Sequence, residues 1–131
     1  MSEVEAVAEV FERIRERDGR YHDQAYLFVL AALEYCQERR PVRGHISGSE
    51  LAWACRDLAR DRFGLTALTV LTHWGIHATD DLGRIVFVLI DVGLLSAQPS
   101  DRIEDFRGVF DLANAFEGDY PWSGVRTPGA S

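Results

Sequence analysis

Apolar residues recur every three to four positions along most of the chain, the spacing that places them on one face of an α-helix. The segment 23–39 is apolar around most of its circumference, which is typical of a helix with neighbours on several sides. The pattern predicts five short helices, over about 3–17, 23–39, 47–63, 65–74 and 79–92.

Residues that cap and stop helices frame these segments. Ser47 and Glu50 have the spacing of a capping box, with Ser49 as the competing N-cap of the third helix. Thr79 is predicted to cap the fifth helix, whose first turn carries two aspartates, and Gly93 is predicted to end it.

The periodicity changes after the fifth helix. Residues 94–110 are predicted to form a β-hairpin, and 85–90 is also β-prone, so a strand competes with the fifth helix there. A winged-helix domain has the same order of elements, with short helices followed by a hairpin. The alternative fold is a helical bundle with a C-terminal arm. The fold is therefore predicted to be mainly α, with one domain over 1–116 and a flexible C-terminal tail over 117–131.

Composition and charge limit the classes of partner and location. The net charge of −7 disfavours nucleic acid as a partner, since proteins that bind it usually carry a basic face. The chain has no apolar run of about 18 residues and no signal-peptide pattern, so we expect no membrane span and a cytoplasmic location. Cys36 and Cys55 are predicted to be packed thiols and not a disulfide.

The motif inventory predicts no metal site, no cofactor and no catalytic centre. His73 and His77 have the spacing of two ligands on one helix, but Gly75 interrupts that helix. Adjacent carboxylates such as Asp80 and Asp81 point about 100° apart on a helix, so they are read as a solvated turn and not as an acid–base couple. No phosphate-binding glycine motif occurs.

Several segments together resemble an uncharacterised family of conserved hypothetical proteins from bacteria of the planctomycete and verrucomicrobium type. The likeness covers about residues 3–116, and it implies no activity, substrate or catalytic residue. The segments are Arg20-Tyr21 with 25–30, then 43–51, then 73–76 with 79–83, then 85–87 through 93–95, and finally 104–106.

The favoured functional hypothesis is a non-catalytic protein–protein interaction module, whose partner is another protein or a second copy of the chain. Tryptophan, tyrosine and arginine are the residue types that anchor interfaces. The candidate contact surface comprises Arg43, His45, Trp53 and Trp74. The alternatives are a winged-helix-like DNA-binding regulator of transcription and an enzyme of an unrecognised class.

Overall fold

A computed structural model describes residues 3–96 and 102–117 of the chain. Its architecture is mainly helical, and these residues contain no β-strand. The elements in order are α1 (Glu3–Arg17), α2 (Asp23–Glu38), α3 (Gly48–Phe63), a 3-10 turn (Gly64–Thr66), α4 (Ala67–His73), α5 (Thr79–Asp91), a 3-10 helix (Ile103–Phe106) and α6 (Leu112–Glu117).

Local signals correctly predicted the start of α3 at Ser47 and the end of α5 at Gly93. The Ser47 hydroxyl accepts the Glu50 N–H at 3.1 Å and the Glu50 carboxylate accepts the Ser47 N–H at 3.1 Å, so Ser47 and not Ser49 is the N-cap of α3. Gly64 and Gly93 follow α3 and α5 with positive φ, a conformation that glycine adopts without steric cost.

The core forms around α2, which packs against α3 and α5. One face of α2 is fully buried at Ala25, Val29 and Ala32, whereas Leu27 on its outer side is 45% exposed, so the helix is enclosed on fewer sides than its apolar pattern predicted. Small residues at the three buried positions allow the neighbouring helices to approach closely. The remaining core side chains include Ile14, Tyr26, Phe28, Cys55, Ala59, Ile76, Ile85, Leu89 and Phe116.

The start of α5 differs from the sequence prediction. Its N-cap is Ala78, and Thr79 is the first helical residue. The Thr79 hydroxyl is fully buried, donates to the Phe106 carbonyl at 2.6 Å and accepts the Val109 N–H at 3.1 Å. The carboxylate of Asp81 accepts the Ala78 N–H in its place. The Thr79 hydroxyl, which the sequence pattern predicted to cap the helix, therefore forms its hydrogen bonds with distant residues.

The segment predicted as the second strand of a hairpin is a 3-10 helix over Ile103–Phe106. The physical reason is Phe106, whose ring is buried against α3 and α5, a placement that the tight turn permits. The described part of the chain therefore lacks the paired strands of a winged-helix domain. The predicted hairpin turn at 97–101 and the predicted tail over 118–131 lie outside the described residues; Glu117, the first residue assigned to that tail, ends α6.

Two glycines make the space that Phe106 occupies. A β-carbon at Gly83 of α5 would lie 2.9 Å from Phe106 Cβ and Cδ2, and one at Gly48 of α3 would lie 3.1 Å from Phe106 Cε2. Side chains at these positions would push the ring out of its slot. The glycines therefore determine how closely the 3-10 helix approaches α3 and α5.

The slot yields a first prediction, that Gly83→Ala destabilises the domain. Overpacking costs about 1–3 kcal/mol, and the better helix propensity of alanine recovers at most about 1 kcal/mol of that. Chemical denaturation should show the loss. Gly44→Ala is the matched control, because a β-carbon there meets nothing within 4 Å, and it should leave stability unchanged. Equal stabilities of the two variants would contradict the packing assigned to Phe106.

Candidate interaction surfaces

Trp53 lies in the second turn of α3 and presents 39% of its surface to solvent. Phe110 packs against its indole with ring centroids 4.5 Å apart. The guanidinium of Arg56 lies 4.7 Å from the centre of the same ring and forms an ion pair with Asp57 at 2.7 Å. We call Trp53, Arg56 and Phe110 the Trp53 cluster: a large aromatic surface held in place from both sides.

Arg43 and His45 are exposed in the loop that leads into α3. The Arg43 guanidinium forms two hydrogen bonds with the Glu34 carboxylate, at 2.7 and 3.1 Å, and these lower the Glu34 pKa below its usual value. Arg40 donates to the His45 carbonyl at 2.6 Å. The loop is thus tied to the C-terminal half of α2 and presents a defined surface.

Trp74 occupies a different place from Trp53. It follows α4, is half-buried, and its ring centroid lies 5.6 Å from that of Phe28 and 5.7 Å from that of Phe63. Its carbonyl accepts the His22 N–H at 3.1 Å. The structure therefore does not combine the two tryptophans into one aromatic cluster, and most of the Trp74 ring is committed to internal packing.

Asp81, which was predicted to lie in a solvated turn, is only 7% exposed and is the centre of a polar network. One carboxylate oxygen accepts from the Tyr21 hydroxyl at 2.6 Å and from Arg84 at 2.7 Å. The other accepts the backbone N–H groups of His77 and Ala78 at 2.9 and 3.1 Å. An aspartate at the third position of a helix was a local signal for capping, but nothing local indicated its partner sixty residues earlier in the chain.

The electrostatics of this network favour an ionised Asp81 beside a neutral Tyr21. Burial opposes the charged carboxylate, but the hydrogen bonds from Tyr21 and from two backbone amides, with the Arg84 charge, lower the Asp81 pKa below its usual 3.8. Burial and the bond to Asp81 raise the Tyr21 pKa to about 12. The network is closed and satisfied, so we assign it a structural role.

Cys36 and Cys55 are free thiols, and among the imidazoles the rings of His22 and His73 lie near each other. Cys55 is buried and Cys36 is half-buried, and burial raises the pKa of both thiols, which disfavours the thiolate form. The rings of His22 and His73 lie 6.3 Å apart. Over residues 3–96 and 102–117, no three histidine, cysteine or acidic side chains converge on a point where a metal could bind.

Two concavities accompany these surfaces. A cavity of about 180 Å³ lies beside the 44–48 loop, and His45 is part of its lining. An almost wholly apolar groove of about 270 Å³ runs between α1, α2 and the end of α5, with Phe11, Leu27 and Leu94 in its walls. Among residues 3–96 and 102–117, no helix has the length and apolar character needed to cross a membrane.

Comparison with known proteins identifies no relative: no family model, no curated protein and no solved structure matches the chain. Neither an activity nor a ligand can therefore be transferred to this domain from a relative.

Proposed function

We propose that this domain is a non-catalytic protein–protein interaction module and that Trp53 is the anchor of its contact surface. The observation that carries the proposal is the exposure of a tryptophan already supported by a phenylalanine ring and an arginine. Binding energy at interfaces concentrates in such residue types, since they bury a large area and lose little side-chain entropy.

We include Arg43 and His45 in the proposed contact surface because both are exposed in the loop before α3. This loop precedes α3 directly, and Trp53 follows the start of that helix by five residues, a rise of about 8 Å. An interface that buries about 800 Å² on each partner spans both features. We also propose that the chain belongs to the uncharacterised planctomycete-type family that it resembles. That family membership implies no catalytic residue.

Affinity capture with the full chain tests the proposal. The purified protein is presented to a native lysate, recovered proteins are quantified by mass spectrometry, and light scattering reports whether the partner is a second copy. We expect one partner recovered well above a tag-only background. Trp53→Ala should reduce its recovery at least about tenfold, because loss of a hot-spot residue costs about 2 kcal/mol or more.

Leu65→Ala is the matched control for this experiment. Leu65 is 66% exposed and lies outside the Trp53 cluster, so its truncation removes apolar surface elsewhere and should leave recovery unchanged. Trp53→Leu retains an apolar contact for Phe110 and separates loss of binding from loss of folding. Equal recovery with the wild type and both Trp53 variants would disprove the assignment, as would the absence of any partner above background.

A further inference from the structure

The cavity beside the 44–48 loop has an apolar floor. Its volume of about 180 Å³ exceeds the roughly 150 Å³ of an engineered apolar cavity that accepts benzene, so a side chain the size of leucine fits. The floor is formed by α2, α3, α5 and the residues after α5. The hydrocarbon side chains are Leu33, Leu51, Val86, Phe87, Ile90 and Leu95.

Two opposite charges line the opening of the same cavity. Arg102 and Asp105 lie at the start of the 3-10 helix, three positions apart, and both side chains are exposed. The Asp105 carboxylate accepts the Arg102 backbone N–H at 3.2 Å, which orients it and leaves its second oxygen available. Because both side chains are exposed, both charges are accessible to a ligand.

The walls around these charges are held in place before any ligand binds. Phe106 anchors the 3-10 helix between Gly48 and Gly83. On the opposite side the Gln37 amide donates to the Gly44 carbonyl at 2.6 Å and accepts the Gly44 N–H at 3.1 Å. A ligand therefore enters a formed site and spends little of its binding energy on ordering the protein.

We propose that this cavity binds a free α-amino acid with an apolar side chain of about leucine size. A simple carboxylate would be attracted by Arg102 but repelled by Asp105. A simple amine, which is positively charged, would be attracted by Asp105 but repelled by Arg102. A zwitterion satisfies both charges, with its carboxylate on the guanidinium, its ammonium on Asp105 and its side chain on the apolar floor. This site shares the 44–48 segment with the proposed contact surface but includes no residue of the Trp53 cluster, and it does not depend on the function proposed for that cluster.

Titration of the isotope-labelled full chain with L-leucine, followed by amide NMR shifts, tests the site. We expect saturable shifts confined to residues 44–48, 102–106 and the facing parts of α2, α3 and α5, with a Kd of about 1 mM or tighter. Isocaproate lacks the ammonium group and isoamylamine lacks the carboxylate. Each should bind at least about tenfold more weakly than leucine, since each leaves one charge of the site unmatched.

Charge-neutralising variants assign the two ends of the ligand. Arg102→Gln should weaken leucine at least about tenfold without weakening isoamylamine, and Asp105→Asn should weaken leucine without weakening isocaproate. Arg107→Gln is the matched control, because Arg107 is an exposed arginine that directly follows the 3-10 helix and is not part of the lining. The proposal is overturned by the absence of saturable shifts, by leucine binding that survives Arg102→Gln, or by isocaproate binding as tightly as leucine.

Discussion

Asp81→Asn is expected to lower the free energy of unfolding by about 3 kcal/mol near neutral pH. The amide keeps the shape of the carboxylate but loses its charge, and its NH₂ group turns a donor toward groups that themselves donate. Those groups are the Tyr21 hydroxyl, the Arg84 guanidinium and two backbone amides. Urea denaturation followed by circular dichroism measures the loss.

Asp80→Asn is the matched control for this substitution. Asp80 is the adjacent aspartate in the same helical turn, is half-buried, and accepts a hydrogen bond from Gly108 N–H at 3.2 Å. Its replacement should cost no more than about 1 kcal/mol. Comparable losses at the two positions would contradict the central role given to Asp81.

The same network has a defined pH dependence. Because the folded-state pKa of Asp81 lies below its usual 3.8, the ionised carboxylate stabilises the fold above that pH. This contribution is lost as the pH falls through the lower, folded-state pKa. The stability difference between the wild type and Asp81→Asn should therefore be constant near neutral pH and shrink below about pH 4. A difference that stays constant into strong acid would show that charge plays no part.

Phe106→Ala is expected to cost about 3–5 kcal/mol, the usual range for deleting a buried phenylalanine ring. The ring fills the slot between Gly48 and Gly83, and neither glycine has a side chain that could collapse into the space. Loss of this anchor should also loosen the 102–110 segment. The emission of Trp53, whose ring packs on Phe110, should then shift to longer wavelength in the folded variant.

Ile103→Ala serves as its control. Ile103 belongs to the same 3-10 helix but is 39% exposed, so its truncation removes little buried surface. We expect a loss below about 1 kcal/mol, with unchanged tryptophan emission. A small effect of Phe106→Ala in denaturation would mean that the 3-10 helix contributes little to the stability of the core.

Sequence patterns predicted the helices well because their determinants are local. The capping box at Ser47 involves residues three positions apart, and the stops at Gly64 and Gly93 depend on backbone conformations that glycine readily adopts. The apolar residues around most of the circumference of α2 likewise predicted that this helix contributes to the core. Each of these features can be evaluated within one or two helical turns.

The candidate surface was only partly predictable. Residue type singled out Trp53 and Trp74 equally, but Trp53 is exposed beside Phe110, whereas Trp74 packs against Phe28 and Phe63. Which tryptophan faces solvent depends on packing between distant helices, and a single-helix pattern does not contain that information. That Arg102 and Asp105 line an apolar cavity could not be predicted for the same reason, since the cavity floor is formed by α2, α3 and α5.

The sequence by itself determined the start of α3 and the stops after α3 and α5, since these depend on residues within one turn of the helix end. Only the tertiary structure decided the burial and the contacts of Thr79, Asp81 and Phe106. The Thr79 hydroxyl bonds to a residue 27 positions away along the chain, and the Asp81 carboxylate to one 60 positions away. The segment predicted as the second strand of a hairpin forms a 3-10 helix that buries Phe106. Long-range burial and hydrogen bonding outweighed local preference at these positions, because they combine several contacts at one side chain.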